Sequence, residues 1–486
     1  MTSETELYRA FVRDAMQTDC AALTADAACR DAVLRLREGE GTCIVVTDTD
    51  RRPVGILTEQ DIARRIAFQA APETPVAEVM SAPVTTIHAD EFLFHAIARM
   101  RRGNIRHMPV VDGAGVLAGV LRLRDALLET DRALMADIDA LSGAIGVDGL
   151  IRVKDRIWTI AARLLADGVP VPEIQALVTE AHNDVYRRTA DLIAEEMAEA
   201  GLGGPPVAFA VIVMGSGGRG ENFIRPDQDN GLILADYPDA EHDDVDRWFI
   251  DFSERLTLAL DRIGFPLCRG HVMATNPVWR KSIGQWKRQV GNWIARRTAV
   301  SLRLCDILFD FRAVWGEPDL AQDLRRHILT QAAANPAFLR QLVAESESAG
   351  VALGFFDRFI LVRGDELHQG TINLKQSGIL PLIEAVRLVA LREGLPALST
   401  LGRMDELKEA GYLDRDEHDY LTGAYHHLST LILRHQVKAA ARGAEVSYYV
   451  PPDALTRREK DMLVDGLKAI RRLRDRVRAE LTGAIF

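Results

Sequence analysis

Cysteine is scarce in this 486-residue chain: five residues, Cys20, Cys29, Cys43, Cys268 and Cys305, with no C-x-x-C pair and no metal-ligand spacing. A scattered, odd set argues against a disulfide framework or a structural zinc site, and it reads as reduced thiols in a cytoplasmic protein. Long apolar runs are missing as well. No stretch reaches the roughly 18 apolar residues of a membrane span, so none is expected. The opening Met1-Thr-Ser-Glu-Thr-Glu6 lacks the basic and apolar regions of a signal peptide. Positive charge is in deficit, 59 Lys and Arg against 70 Asp and Glu, a formal charge of −11. That balance disfavours nucleic acid as a partner, because such binding needs a basic footprint. What the chain does have is 48% hydrophobic and 27% charged residues, enough for several packed cores over a length that suggests about three domains.

The first 130 or so residues contain a repeat. Met16 and Met80, Asp48 and Asp112, Gly55 and Gly119, and Asp61 and Asp125 are each 64 positions apart, with no insertion. Each copy carries an amphipathic helix (around Ala27–Arg37, then Phe92–Arg101), a β-branched strand, a glycine turn, another strand and a second helix. The stretch from Val211 to Leu234 is the most informative for chemistry. It reads as an apolar strand to Met214, a glycine-rich turn Gly215-Ser-Gly-Gly-Arg-Gly220, a short connection, and a strand opened by Asp227 and Asp229. Residues two apart on a strand share a face, so both carboxylates project together. Two hard oxygen ligands beside a glycine turn suit a magnesium ion that itself holds a nucleoside triphosphate. The turn also satisfies G-x-G-x-x-G, but a dinucleotide fold needs a full helix before the second strand. The interval Glu221–Asp229 contains Pro226 and is too short for one, which argues against an NAD-dependent oxidoreductase.

Gly215-Ser216 followed by Asp227-Gln-Asp229 resembles the nucleotidyltransferase superfamily that includes DNA polymerase beta, and Gly215 through Glu221 looks like its bacterial PII-uridylyltransferase branch. The resemblance implies that Asp227 and Asp229 hold magnesium (manganese is possible), with backbone N–H groups of Gly215 and Ser216 receiving the terminal phosphates. Arg219 would add a phosphate contact; a salt bridge to Glu221 or Asp227 is the alternative. The superfamily needs a third carboxylate on a later strand, yet Gly264–Thr275 carries no acid. Asp261 lies just before it, and Asp306 and Asp310 sit in the strand-like run Leu304–Arg312, where they would share a face. Either would complete a triad or serve as a structural acid paired with Arg303 or Arg312.

The repeat resembles a tandem cystathionine-beta-synthase (CBS) module, with Gly55-Ile-Leu-Thr58-Glu-Gln-Asp61 matching its signature fully and Gly119-Val-Leu-Arg122-Leu-Arg-Asp125 replacing the hydroxyl by Arg122. That family places adenine nucleotides (ATP, ADP or AMP) on residues equivalent to Thr58, Asp61 and Asp125, and such pairs commonly form homodimers. A helix-capping role is the alternative for both acids. Arg106, Arg122 and Arg124 are candidates to meet a phosphate tail.

Elsewhere, 132–200 reads as helical with a break at Asp167-Gly-Val-Pro170, and Gly201–Pro206 as a linker. His182 has a packing or a functional reading. Trp279, Trp286 and Trp293 would build core or stack on a base. From Asp319 the pattern is helical, with segments Ile379–Leu391, His418–Ala440 and a basic amphipathic helix Arg457–Leu481 whose charges read as a solvated face. Thr371–Lys375, Arg387–Leu391, Leu401–Arg403 and Leu433–Gln436 look most like the C-terminal helical domain of CBS-linked transferases, with their arginines assigned to interhelical salt bridges or a nucleotide cleft. The expected fold is thus multidomain α/β plus α. It comprises a CBS module at 1–131 (repeats about 10–70 and 74–131), a helical connector at 132–200, a polymerase-beta-like mixed-sheet domain at 201–316 and a helical domain at 317–486. The expected function is NMP transfer from an Mg-NTP donor to a protein or small-molecule hydroxyl, tuned by adenine nucleotide at the CBS pair. A catalytically inactive nucleotide-sensing regulator is the alternative.

Overall fold

The computed structural model describes residues 11–37, 42–58, 61–66, 70–91, 93–103, 105–128, 146–346 and 350–483. The chain forms two compact units, Met1–Ser142 and Gly143–Phe486. The boundary expected at 131/132 and the Glu59-Gln60 pair of the first signature lie outside the described residues.

In the first unit the repeat becomes two copies of one motif. The first runs β1 (Ala21–Thr24), α1 (Cys29–Arg37), β2 (Cys43–Thr47) and β3 (Pro53–Thr58). The second runs β4 (Ile87–His88), α2 (Leu93–Arg102), β5 (His107–Val111), β6 (Leu117–Arg122) and α3 (Leu123–Leu128). In each sheet the first strand is parallel to the second, which is antiparallel to the third. The hairpin turns share their chemistry. Asp48 Oδ1 accepts from the N–H groups of Asp50 and Arg52, and Asp112 Oδ1 from those of Ala114 and Val116, the self-bonded turn that short acids favour. The copies also interlock. A Cβ on Gly55 would lie 2.2 Å from Met80 Sδ, and one on Gly119 would lie 2.5 Å from the Gln17 carbonyl oxygen. Each signature glycine thus marks the point where the other copy's leading segment crosses the hairpin.

The second unit opens with α4 (Gly146–Ala166) and α5 (Val171–Glu199), interrupted at 167–170 where Gly168 has φ +77°. Then follow β7 (Phe209–Met214), α6 (Gly215–Arg219), β8 (Asn230–Leu234), α7 (His242–Ile263), β9 (Arg280–Ser282), α8 (Ile283–Arg296), α9 (Ala299–Leu308) and β10 (Phe311–Gly316). The sheet order is β10-β7-β8-β9, with β7 antiparallel to both neighbours and β8 parallel to β9. An antiparallel β7–β8 pair is incompatible with a dinucleotide βαβ unit, whose strands are parallel. Trp279 and Trp286 are fully buried, and the Trp286 indole donates to the Leu232 carbonyl at 2.9 Å; both are core. The run Leu304–Arg312 departs from its expected form: α9 continues to Leu308 and only Phe311 onward is strand. Asp306 therefore lies on a helix and Asp310 in the turn after it, so they share no strand face.

The remainder is mainly helical, with a long loop over 350–371 and the short β11 (Ile372–Asn373) and β12 (Tyr449–Val450). Its main helices are α10 (Pro318–Ala333), α11 (Pro336–Ser346), α12 (Leu380–Glu393), α13 (Thr400–Glu409), α14 (Arg415–Ala441) and α15 (Arg457–Thr482). Capping boxes at Asp414/Glu417 and Thr456/Glu459 start α14 and α15 by satisfying otherwise orphaned backbone donors. Leu463, Leu467, Ile470, Leu473 and Val477 form the buried stripe of α15. Among the described residues no helix is long and apolar enough to cross a membrane.

Candidate active site

β7 is a wholly buried apolar strand, which fits its place between β10 and β8. It delivers the chain to Gly215, whose φ of +59° starts the one-turn helix α6; Gly220, at φ +81°, ends it. Glycine is also required at 218. A Cβ there would lie 2.0 Å from the Asp310 carbonyl oxygen, so α6 packs directly on the backbone leading into β10.

The return segment is extended before β8 begins. Met214 N–H donates to the Asp229 carbonyl at 2.8 Å, while the buried Gln228 amide donates to the Thr257 and Phe265 carbonyls at 3.0 and 2.8 Å. Asn230 is buried too, accepting from Ala274 N–H at 2.9 Å. Gln228 and Asn230 thus face the interior, and the alternation turns Asp227 and Asp229 to the other side. There the two carboxylates line one cleft with Ser216, Gly217, Asn222 and His182. Asp227 is exposed and Asp229 half-buried. A Cβ on Gly215 would sit 3.5 Å from Asp229 Oδ2, so turn and carboxylate are adjacent.

Burial, and then the neighbouring Asp227, raise the Asp229 carboxyl above its ordinary value, partly opposed by a hydrogen bond from Cys268 and by Lys375 and Arg219. A cation between the two acids would relieve both the desolvation and the repulsion. Among the described residues no group of three or more His, Cys, Asp or Glu is arranged to hold a metal. Two carboxylates on one face are the kind of donor set a hard ion takes when phosphate oxygens and water supply its other ligands. The enclosed space beside the acids is about 20 Å³, on the scale of one water or ion rather than a nucleotide.

Four residues of the cleft carry no signature in the sequence. Ser216 Oγ donates to Asn222 Oδ1 at 2.7 Å, and Asn222 Nδ2 approaches His182 Nδ1 at 3.4 Å. With its oxygen occupied, the amide donates to the ring, which leaves the proton on His182 Nε2. That atom is buried without a partner. Burial, and then Lys154, hold the His182 ring well below its ordinary pKa. Cys268 stands beside Asp229 in the acid-free segment, and its thiol is pushed up by burial and by that carboxylate. Lys375 acts on Asp229 from the C-terminal helical region; Cys268 and Lys375 both fall in segments singled out by resemblance, though neither residue itself is.

Arg219 turns away from the cleft. Its Nε donates to Glu221 Oε2 and its Nη1 to Asp310 Oδ2, both at 2.7 Å, and all three side chains are buried. The salt-bridge alternative for Arg219 is the one its geometry displays, and its guanidinium does not line the space beside the acids. Asp310 is fully buried and also accepts from Arg387 Nη1 at 2.7 Å and Arg403 Nη2 at 2.6 Å. Burial alone would raise its carboxyl, but the three arginines hold it well below the usual range. Asp306 pairs with Arg387, and Asp261 is exposed in the last turn of α7. The arginine partners of Asp306 and Asp310 thus differ from the expected Arg303 and Arg312. Glu221 further accepts from Thr400 N–H at the start of α13, so the signature residues Arg219 and Glu221 bind the glycine turn to the C-terminal helices.

In the first unit Thr58 Oγ1 donates to Asp61 Oδ2 at 2.7 Å and Thr58 N–H at 3.0 Å, while Asp61 N–H returns to Thr58 Oγ1 at 3.3 Å. Asp125 accepts from Arg122 Nε at 2.6 Å and Gln17 Nε2 at 3.3 Å. The side chain of Arg124 lies outside the described residues.

Comparison with known proteins bears on all these parts. The family model described as Putative nucleotidyltransferase DUF294 matches residues 155–299, and that described as Putative nucleotidyltransferase substrate binding domain matches 336–481. The CBS domain model matches 12–68 and 76–130. Among curated proteins, uncharacterized protein MK0525 of Methanopyrus kandleri is 33% identical over 108 residues, covering 22% of this chain and 54% of that protein. Inosine-5'-monophosphate dehydrogenase of Mycobacterium tuberculosis is 31% identical over 157 residues, covering 32% of this chain and 28% of that enzyme. The chain thus spans about half or less of these relatives. Among solved structures, CBS domain protein PAE2072 from Pyrobaculum aerophilum, complexed with AMP, is 29% identical, with 26% of this chain and 98% of that chain covered and a TM-score of 0.24. The CBS-domain protein ATU1752 from Agrobacterium tumefaciens is 28% identical, with 24% and 97% covered and a TM-score of 0.23. With a CBS pair, a DUF294 domain and its C-terminal partner in one polypeptide, the chain belongs to the CBS-linked family whose models carry the description putative nucleotidyltransferase.

Proposed function

We propose that this protein transfers a nucleoside monophosphate from an Mg-NTP to a hydroxyl of a protein or small molecule, in the manner of PII uridylyltransferase and in a signalling role. The observation that carries the reading is the pair Asp227 and Asp229 on one face, against the Gly215–Ser216 turn. Asp227 and Asp229 would hold magnesium, which when bound neutralises charge on the triphosphate and polarises the phosphoryl group under attack. The N–H groups that open α6 have no intrahelical acceptor and would receive the terminal phosphates. Ser216 Oγ, which donates to Asn222, would lie beside them. Base and ribose would lie outside the small enclosed space, across the mouth of the cleft. Arg219 serves as a positioning residue that holds the turn against Asp310.

At the CBS pair we assign an adenine nucleotide to Thr58 and Asp61, with Asp125 in the second copy and a homodimer formed through this unit. Differential affinity of that nucleotide for two states of the protein would tune the transferase. A second reading is favoured by two observations: Cys268, not an acid, stands beside Asp229, and Asp310 is consumed by arginines. It is a nucleotide-sensing regulator without catalysis.

The metal assignment is tested by electron paramagnetic resonance of Mn²⁺ titrated into the full chain with and without ATP. Nucleotide-dependent Mn²⁺ binding that disappears in Asp227→Asn/Asp229→Asn is the expected result. Equal binding by both proteins would remove the cleft from consideration.

A further inference from the structure

A cavity in the second unit lies away from the two acids, among α11, α12, α15 and the segment 350–360. Its volume is about 420 Å³, within the range of small-molecule sites and far beyond the voids that well-packed interiors leave. Its walls are partly apolar and partly charged, with three arginines of α15 outnumbering the single acid beside them, Asp475. Leu353, Leu388 and Val477 are among the apolar residues, and Arg471, Arg474 and Arg478 line it from one side of α15. Spacings of three and four residues place those arginines on one face of the helix. Opposite them on α12 is Glu384, whose Oε2 is buried without a hydrogen-bond partner.

The basic residues of this last helix read from sequence as a solvated face. Three of them instead border a recess partly open to solvent, half-buried, while Arg472 between them is exposed. Arg471 is positioned by donation to the Leu353 carbonyl. Several arginines lining one partly apolar space favour a carboxylate, sulfonate or phosphate group there. The solitary Glu384 oxygen calls for a donor from whatever occupies the space.

We propose that this cavity is a binding site for a small organic anion that has an apolar body and one hydrogen-bond donor. The arginines of α15 take the anionic group, Leu353, Leu388 and Val477 take the apolar body, and Glu384 accepts from the donor. Burial, and then Asp306, push the Glu384 carboxyl up to about 7 against the opposing pull of Arg387 and Arg474, the state of an acid that has lost its water and gained no fixed partner. The site does not depend on the transferase reading, because it uses no residue of the Asp227/Asp229 cleft.

Anilinonaphthalene sulfonate carries all three features (a sulfonate, apolar rings and an N–H) and fluoresces when removed from water. Titrated into the full-length protein, it is expected to show a saturable site that weakens by about tenfold or more in Arg474→Met, a charge removal that keeps length and apolar bulk. Leu388→Trp, which fills the space, should abolish the same site. Arg472→Met, one helix position round on the exposed side, should leave the titration unchanged. Circular dichroism and the unfolding midpoint confirm that each variant is folded; if Leu388→Trp is not, Arg474→Met against Arg472→Met decides alone. No saturable binding by the wild-type chain, or identical titrations for Arg474→Met and wild type, overturns the proposal.

Discussion

Arg219 Nη1 donates to Asp310 Oδ2 at 2.7 Å with both side chains closed off from solvent, and through that bond the glycine-rich turn is fastened to the start of β10. Arg387 and Arg403 bring α12 and α13 to the same carboxylate. One acid thus joins four parts of the unit. Asp310→Asn would leave three buried guanidinium groups short of a counter-charge, and a cost of about 3–5 kcal/mol is expected in denaturant unfolding. The pH dependence has a definite sign. The folded-state pKa of Asp310 is depressed, so its contribution is complete above the ordinary value of about 4 and declines as pH falls toward the folded value. The variant should show a flatter acid limb than wild type.

Gly218→Ala tests the same junction sterically. The added methyl would meet the Asp310 carbonyl oxygen at 2.0 Å, and backbone is less able to yield than a side-chain tip. A loss of about 1–3 kcal/mol is expected from overpacking, read as a lowered unfolding midpoint. Unchanged stability would show that α6 does not press on β10.

Lys154 supplies an alkaline signature. It is buried, with Nζ donating to the Ile224 carbonyl at 3.0 Å and lying 4.8 Å from the Phe265 ring centroid. Burial, and then Arg225, lower its pKa to about 7. The unfolded chain therefore holds this proton between about pH 7 and 10 where the folded chain does not, and stability should rise with pH across that window. Lys154→Met should remove that part of the rise. A slope identical in both proteins would contradict a buried, proton-poor Lys154.

The two CBS copies should differ. Asp61 accepts from Thr58 and, at 3.4 Å, from Ser81, with the Arg65 guanidinium 3.7 Å away, whereas the guanidinium on Asp125 is in direct contact, Arg122 Nε donating at 2.6 Å beside Gln17. In calorimetric AMP titrations, Asp61→Ala should weaken binding by about tenfold, and Asp125→Ala should have the smaller effect. The reverse order would move the nucleotide to the second copy.

Much of this architecture is legible in the sequence wherever the signal is local. The offset of 64 carries β2 to β5 and β3 to β6 without a slip, because turn chemistry and glycine contacts repeat along with the apolar pattern. The break at 167–170, the strand before Gly215 and the alternation at Asp227 and Asp229 are equally local. The run Leu304–Arg312 reads as strand because a short apolar segment with an aromatic has no period of its own; packing extends the helix to Leu308. The Asp310 cluster is illegible for another reason. Its arginines lie 91, 77 and 93 residues away, distances over which no spacing rule operates. His182 and the arginines of α15 look like ordinary helix residues until the fold sets one against the Ser216–Asn222 pair and the others around a cavity.

Asp227 and Asp229 are proposed to form a metal-dependent donor site for a nucleoside triphosphate. Calorimetric titration of each Mg-NTP into the full-length protein and into Asp227→Asn/Asp229→Asn tests that site, because any heat from the CBS pair would be common to both. Magnesium-dependent binding of at least one NTP that the double variant loses is the predicted result. Indistinguishable titrations from two well-folded proteins would contradict the account and leave the CBS pair as the protein's nucleotide site.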